Sequence, residues 1–142
     1  MEATVRAILI KAKKGGQSVS LEAVQAVADG FDGDHHTGSS KRRQILLVSG
    51  SVLDELNLEP GAIYENIVVD GMDVMALQEG QKLRLGEVLV EVTIPCEPCA
   101  RMDHVRYGLR RALEDRRGMF VRVVVPGEVR VGDRVERPSV NV

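Results

Sequence analysis

Two stretches of this chain share one pattern, Leu83-Arg84-Leu85-Gly86-Glu87-Val88-Leu89 and Val129-Arg130-Val131-Gly132-Asp133-Arg134-Val135. In both, apolar and polar side chains alternate as they do along a β-strand, and a glycine then permits a tight bend or a bulge. A small barrel uses corners of this kind to close its sheet on itself. The repeat therefore predicts a mainly β fold, a β-barrel with two or three short helices.

Strand patterns elsewhere in the chain agree with this fold. Short alternating or apolar runs bounded by glycine, proline or polar residues are typical of strands. Such runs occur at 4–11, 44–48, 66–70, 82–85, 87–94 and 119–125. The dipeptide at 126–127, Pro-Gly, then turns the chain into a final strand.

The helical signals are shorter than the strand signals. Residues 51–56 begin with the spacing of a capping box and predict one short helix. Apolar residues at helical spacing indicate a second helix over 21–27. A third is predicted from about 104 to 116, with Asp103 as its N-cap and Gly118 at its C′ position.

Composition limits the classes of function. With 142 residues, of which 44% are hydrophobic, we expect a single domain over 1–142 with its core at about 4–137. Aromatic residues make up only 3%, which argues against a stacking platform for single-stranded nucleic acid. No run reaches the length of a membrane span and no leader pattern is present. We therefore expect a cytoplasmic protein that binds neither nucleic acid nor a membrane.

The residues best suited to chemistry lie in the stretch 94–103, Ile-Pro-Cys-Glu-Pro-Cys-Ala-Arg-Met-Asp, which holds the only two cysteines. Pro95 cannot donate to a sheet ladder, so the preceding strand should stop there, and Pro98 stiffens the loop. Two thiols are thus held close together at the end of a strand. Because positive side chains lower the pKa of a thiol and several follow Cys99, this cysteine is the better candidate for a reactive sulfur.

Other interpretations of Cys96 and Cys99 stay open. They could be a buried and inert pair, since cysteine buries readily. They could supply two of the four ligands of a zinc ion, completed by His104, His35 or His36. A thioredoxin-like redox pair shares the C-x-P-C spacing, but that motif belongs to a βαβ unit and this chain shows no such alternation.

The longest irregular stretch, residues 30–40, is a second candidate for function. Its glycines permit close approach of a ligand, and the imidazoles of His35 and His36 can bind an anion or a metal. The basic run 41–43, which ends at Arg43, follows directly. It suits either a plain surface cluster or an anion clamp.

Two further sets of polar residues have both a structural and a functional interpretation. Glu65 and Asn66 place a carboxylate and an amide at the entry to a strand, where they either satisfy turn hydrogen bonds or face a ligand. Arg106, Arg110 and Arg117 could reach back toward the cysteine loop from the third helix. A solvated helix face is the commoner arrangement for each of them.

Taken together, these motifs resemble the MOSC domain, the module named for the C-terminus of molybdenum cofactor sulfurases. They run in family order and cover the chain from about residue 4 to residue 137. The matching pieces are 33–36 (Gly-Asp-His-His), 43–44 (Arg-Gln), 61–67 (Gly-Ala-Ile-Tyr-Glu-Asn-Ile), 80–86 (Gly-Gln-Lys-Leu-Arg-Leu-Gly), the Cys96–Cys99 loop, 117–119 (Arg-Gly-Met) and 129–133 (Val-Arg-Val-Gly-Asp).

This resemblance implies a barrel-like β fold and a loop cysteine that carries sulfur as a persulfide or ligates the molybdenum of the pterin cofactor. That cysteine matches Cys99 best, as catalytic sulfur and as metal ligand, with Cys96 as a second catalytic candidate. The side chains expected to bind the cofactor are His35, His36, Arg43, Glu65, Asn66, Arg101, His104 and Arg106.

Two functional hypotheses follow from the resemblance. In one, the protein binds the molybdenum cofactor (molybdopterin) and serves as part of a small oxidoreductase that receives electrons from a separate electron-transfer protein. In the other, Cys99 is a sulfur carrier loaded by a donor such as a cysteine desulfurase, since we expect no pyridoxal phosphate site in the chain itself. A rival from another class is a non-catalytic binding module with zinc held by Cys96, Cys99 and His104.

Overall fold

Valine, leucine and isoleucine build most of the secondary structure, in strands short enough for a small barrel. The computed structural model describes residues 2–138, so residues 1 and 139–142 of the expected single domain lie outside it. Its helices are α1 (Gly50–Glu55), α2 (Arg101–Val105) and α3 (Leu109–Ala112), with a 3-10 turn at Val74–Ala76. Its strands are β1 (Ala3–Ile10), β2 (Val19–Leu21), β3 (Ala23–Val27), β4 (Gly30–Phe31), β5 (Ile45–Ser49), β6 (Ile67–Asp70), β7 (Lys82–Leu85), β8 (Val88–Pro95), β9 (Met119–Val125), β10 (Gly127–Arg130) and β11 (Arg134–Glu136).

Seven of these strands close into a barrel in the order β11-β7-β8-β9-β5-β6-β1, because β1 also pairs with β11. Strands β5 and β6 run parallel, and the other ladders of the ring are antiparallel. Strand β2 extends the sheet beside β1, while β10, β3 and β4 form a separate three-stranded sheet. The predicted mainly β barrel with two or three short helices is confirmed.

The two glycine corners of the repeat lie against each other. Gly86, with φ +58°, forms the turn between β7 and β8, and Gly132, with φ +94°, forms the turn before β11. A Cβ at Gly86 would lie 2.2 Å from Oδ2 of Asp133, a carboxylate that accepts the Arg130 N–H at 2.8 Å. Glycine is therefore required at this corner, where β11 pairs with β7 and helps to close the ring.

Apolar side chains form two clusters, one on each side of the barrel wall. Ile45 and Leu47 belong to the interior cluster, whereas Leu46 and Val48 belong to a cluster between the wall and the helices. Because β5 sends alternate side chains to the two clusters, all five of its residues are buried. The outer cluster, which includes Met102, holds α2 and α3 against the wall next to the cysteine loop.

The helix predicted over 21–27 is wrong, since this segment contributes to β2 and β3. Val24 and Ala26 are buried while Gln25 is exposed, which is the period of a strand. Strand β3 pairs with β10, a segment far away along the chain. The spacing of apolar residues within 21–27 does not indicate this partner, yet pairing with the partner determines the conformation here.

The helix predicted from 104 to 116 is also wrong in extent, because α2 and α3 are separate. Arg106 is extended, with φ −158° and ψ 133°, and Gly108 has φ +84°, so the helical path is broken between them. Asp103 is not the N-cap, since it lies inside α2. Its carboxylate instead accepts the Arg110 N–H at 3.0 Å, within the first turn of α3.

Two helix boundaries differ from the prediction. The first helix exists, but its N-cap is Ser49 and the capping box predicted from Ser51 does not form. The Ser49 hydroxyl accepts the N–H of Val74 at 2.9 Å and so joins the helix start to the 3-10 turn. Gly118 is not a C′ residue of α3, which ends at Ala112; it leads into β9 with φ +136°.

Candidate functional site

The cysteine loop is fixed to the barrel at both ends. Pro95 ends β8, and the N–H of Cys96 donates to the carbonyl of Gly118 at 2.9 Å. At the other end, the N–H of Met102 donates to the carbonyl of Cys99 at 3.0 Å, and Met102 itself is buried in the outer cluster. The loop thus presents two free thiols, that of Cys96 half-buried and that of Cys99 exposed.

The two thiols have different surroundings. Burial raises the pKa of Cys96 above its ordinary value of 9.0, although Arg117 and Arg43 nearby act in the opposite direction. Cys96 is therefore a protonated thiol at neutral pH, whereas Cys99 is open to ligands and reagents. This arrangement agrees with Cys99 as the reactive sulfur, which stays a prediction.

Both cysteines line a cleft of about 410 Å³, the cysteine cleft, whose volume lies in the range of small-molecule sites. Of the ten residues expected to be catalytic or to bind the cofactor, six contribute to its lining: His36, Arg43, Asn66, Cys96, Cys99 and Arg101. Four others are not among the described lining residues: His35, Glu65, His104 and Arg106.

Positive side chains gather at the cysteine cleft and are held over aromatic rings. The guanidinium carbon of Arg101 lies 4.3 Å from the centre of the Tyr64 ring, and Nζ of Lys11 lies 4.5 Å from the same centre. Arg43 is placed similarly over Phe120, at 6.0 Å. Ring faces attract these cations without cancelling their charge. The cleft therefore suits an anionic ligand.

Arg117 also lines this cleft, although a solvated helix face was considered the commoner arrangement for it. The expectation of a solvated helix face is wrong for it, because Arg117 follows α3 and is only 5% exposed. Its Nη2 donates to the carbonyl of Ile63 at 2.5 Å, while its Nη1 is buried without a partner. A buried donor left unpaired costs about 1–3 kcal/mol, and a charged donor costs more, so an acceptor from a ligand would stabilise it. The available signal was its place in the family-like segment 117–119.

The loop between β4 and β5 brings Asp34, His35 and His36 together beside the cleft. Oδ1 of Asp34 accepts the N–H of Lys11 at 2.9 Å, and the N–H of His35 donates to the carbonyl of Lys11 at 2.7 Å. The two imidazole rings lie 3.8 Å apart between centres. Partial desolvation of its ring, reinforced by the neighbouring His35, lowers the pKa of His36, which is therefore neutral at pH 7 although the residue as a whole is exposed.

Glu65 and Asn66 are engaged by the backbone. Glu65 is 1% exposed, and its carboxylate accepts the N–H groups of Gly61 at 2.8 Å and Ile63 at 3.3 Å. Burial raises the pKa of this carboxyl group. Asn66 accepts the N–H of Leu46 at 3.0 Å and donates across to β1 at 3.1 Å. These contacts favour the structural interpretation of both residues.

His104 and Arg106 lie apart from the cysteine cleft. His104 is exposed on α2. The guanidinium of Arg106 donates to the carbonyls of Leu56 and Asn57, the latter at 3.0 Å, and so binds the C-terminal end of α1. It therefore ties the segment after α2 to α1.

The hypothetical zinc set is not brought together. Over residues 2–138, only one group of three ligand atoms from histidine, cysteine or acidic residues lies within 4.8 Å of one another, and it belongs to Asp34, His35 and His36. Cys96, Cys99 and His104 do not form such a group. The zinc-binding module therefore has no geometric support at the cysteine loop.

A closed β-barrel that carries a cysteine loop and a cationic cleft on its outer wall defines a class of small, thiol-bearing barrel proteins. The chain belongs to the MOSC domain family, whose profile matches residues 32–136. This family is linked to molybdenum-cofactor-related proteins. The resemblance inferred from the sequence is thus confirmed.

Solved structures similar to this chain agree with its fold. The YuaD protein from Bacillus subtilis is 21% identical, with a TM-score of 0.82 over 96% of this chain and 95% of that one. YiiM from Escherichia coli is 19% identical, with a TM-score of 0.73 over 96% and 70% of the two chains. YiiM from Geobacillus stearothermophilus is 17% identical, with a TM-score of 0.78 over 96% and 75%. These likenesses establish the fold alone.

Two further observations concern known sequences and membrane-spanning helices. No curated protein sequence matches it. Among the helices of residues 2–138, none is long and apolar enough to cross a membrane.

Proposed function

We propose that this protein binds the molybdenum cofactor in the cysteine cleft, with the Cys99 sulfur as its ligand to the metal. The observation that carries the proposal is the buried, unpartnered Nη1 of Arg117 in a cleft lined by both thiols. An anionic ligand would give this donor its missing acceptor. Neither a structural barrel nor an incidental pair of cysteines explains that donor.

The side chains of the cleft fit such a cofactor by their chemistry. The Cys99 thiolate is a soft donor, which suits a metal–sulfur centre. Arg43, Arg101 and Arg117 can form charge-assisted hydrogen bonds with phosphate and ring oxygens, and their forked geometry allows two bonds to one group. When bound, the cofactor supplies a molybdenum centre that exchanges electrons and oxygen with a substrate.

The protein's own residues would bind and orient the cofactor. The arginines fix its anionic end, and Cys96, kept protonated by burial, leaves Cys99 as the thiol free for ligation. A separate electron-transfer protein would be needed for turnover. A cytoplasmic location agrees with a reduced C-x-x-C pair.

A second candidate is a sulfur carrier, which the exposure of Cys99 favours. The Cys99 thiolate would attack the terminal sulfur of a cysteine desulfurase persulfide. A new S–S bond forms on Cys99, the donor's S–S bond breaks, and the donor cysteine leaves as a thiolate. The terminal sulfur and its proton move together, so no external oxidant or reductant is required.

Metal analysis of protein expressed in a host that makes the cofactor tests the proposal. We expect close to one molybdenum per chain in the wild type, and at least a tenfold loss in Cys99→Ser. Cys96→Ser is the matched control and should retain most of the metal. Equal molybdenum in wild type and Cys99→Ser would contradict the role given to Cys99.

The same preparations separate the two candidates. A wild type without molybdenum, but with one additional sulfur atom on Cys99 by mass spectrometry after incubation with a cysteine desulfurase and cysteine, would favour the carrier. Stoichiometric zinc that is lost in both cysteine variants would support the binding-module hypothesis instead.

A further inference from the structure

The loop between β4 and β5, here called the histidine loop, holds a set of metal-ligating atoms to which the proposed function assigns no role. Asp34, His35 and His36 each offer one atom, and the three atoms lie within 4.8 Å of one another. Two imidazole nitrogens with one carboxylate oxygen are a donor set that zinc and other divalent first-row ions take. Because the residues are consecutive, one loop positions all three.

Two of these side chains contain buried polar atoms without a partner. Oδ2 of Asp34 and Nδ1 of His35 are both buried and unbonded, and Asp34 is only 7% exposed. A carboxylate oxygen and an imidazole nitrogen left in this way each carry a desolvation cost. Both can act as electron-pair donors, so a cation that contacts both atoms would satisfy both.

The adjacent lysine does not fill this role. The backbone N–H of Lys11 binds the other oxygen of Asp34, at 2.9 Å. Its ammonium group lies over the Tyr64 ring, 4.5 Å from the centre. Oδ2 of Asp34 therefore remains free although a cationic side chain is nearby.

We propose that Asp34, His35 and His36 bind one divalent first-row transition-metal ion at the edge of the cysteine cleft. Zn–N bonds of about 2.0–2.1 Å would bring neighbouring ligand atoms to roughly 3.4 Å apart, so the cluster must contract slightly. His36 is exposed and can make that movement. Three protein ligands leave a further coordination position for water or a small ligand. Since His36 also lines the cleft, the ion lies beside the space proposed for the cofactor.

Zinc titration of the full chain in a thiol-free background tests this site. The parent is Cys96→Ser/Cys99→Ser, stripped with chelator and titrated with zinc chloride by calorimetry, with elemental analysis after gel filtration. We expect one equivalent of zinc. Asp34→Asn and His36→Ala should each weaken the affinity at least tenfold. His104→Ala and Asp32→Asn, two exposed residues outside the cluster, are the controls and should bind as the parent does.

The outcomes decide the proposal without depending on the cofactor. Because His36 is exposed, His36→Ala is expected to keep the parent's thermal melting curve, which separates lost binding from lost folding. Cobalt titration of the parent should give weak visible bands without a sulfur-to-cobalt charge-transfer band. Zinc that binds the wild type but not the thiol-free parent would assign the metal to the cysteines and overturn the proposal. Equal affinity in the parent and the two cluster variants would overturn it as well.

Discussion

Two arginines of this protein differ in how completely their guanidinium groups are hydrogen-bonded. On the outer wall near α1, Arg6 binds both oxygens of Asp70 through Nε, at 2.8 and 3.0 Å, and both oxygens of Asp54 through its terminal nitrogens, each at 2.8 Å. At the cysteine cleft, Arg117 is far more buried, yet it binds one carbonyl and leaves Nη1 unpaired.

This difference extends beyond the two arginines. In the described part of the chain, the buried side-chain atoms without a partner are Asp34 Oδ2, His35 Nδ1 and Arg117 Nη1. All three belong to the cysteine cleft or to the histidine loop beside it. Unpaired buried polar groups are costly, so their collection in one region agrees with the ligand binding that we propose there.

Replacing Arg117 should give the largest effect. Arg117→Met removes the buried charge that we assign to the ligand, and we expect molybdenum retention to fall at least tenfold, since a desolvated charge pair contributes about 2–5 kcal/mol. The free energy of unfolding of the unliganded protein should fall as well, by about 1–3 kcal/mol, because the carbonyl of Ile63 loses its donor and the buried Glu65 loses a nearby positive charge. Elemental analysis and urea unfolding measure the two quantities.

Its neighbour provides the matched control. Arg116 binds Glu55 and the carbonyl of Ala112, away from the cleft, so Arg116→Met should retain molybdenum. If both variants lost the metal equally, the assignment of Arg117 to the ligand would be wrong.

Glu65→Gln tests a buried side chain that lies near Arg117 but whose carboxylate oxygens both accept hydrogen bonds. Glutamine has one carbonyl oxygen for the two N–H groups that Glu65 now accepts, so one N–H would face an amide donor. We expect a loss of about 2 kcal/mol in the free energy of unfolding, measured with urea. Glu59→Gln, an exposed change in the same turn, should have little effect. A stable Glu65→Gln protein that has lost molybdenum would instead make Glu65 a ligand-binding residue.

Arg6→Met should have a smaller effect on stability and none on the metal. Its partners are partly solvated, so we expect a cost of about 1 kcal/mol by urea unfolding. A double-mutant cycle with Asp70→Asn should show coupling between the two residues, while molybdenum content stays at the wild-type level. If Arg6→Met lost molybdenum but kept its stability, Arg6 would have the ligand-binding role that we assign to Arg117.

The smallest effect concerns the half-buried thiol. Iodoacetamide at pH 7 should modify Cys99 at least ten times faster than Cys96, followed by peptide mass spectrometry. Because burial raises the pKa of Cys96 above 9.0, its ionisation favours the unfolded chain. The free energy of unfolding of the wild type should therefore fall relative to that of Cys96→Ser as the pH rises above 9.0. Below pH 9.0 the difference between the two free energies should not depend on pH. Equal alkylation rates would remove the distinction between the thiols.

The sequence predicted those features of the fold that depend on local chemistry. The glycine corners at 86 and 132 and the proline that ends β8 have local causes, and each was predicted correctly. The segment 21–27 was misassigned because its conformation depends on β10, and the third helix was overextended because Arg106 and Gly108 interrupt a regular apolar spacing.

The site was predictable to a smaller extent, since it depends on contacts between distant segments. The residues near the cysteines in sequence led to Arg101, which lines the cleft, but also to Arg106, which binds the end of α1 instead. The burial of Arg117 depends on the carbonyl of Ile63, which only the folded barrel brings near. No sequence pattern predicts that the Nη1 of Arg117 is left without a partner.

The pairing of β1 with β11 has a consequence for the order of events during synthesis. The ring cannot close until β11 has left the ribosome, because β1, the first strand, pairs with β11, the last strand of the ring. Cys96 and Cys99 emerge earlier in the nascent chain, before Arg117 and β9 can form the wall beside them. The two thiols therefore stay without their cleft until Arg117 and β9 have also emerged, and any ligand that needs the complete cleft must be loaded after that point.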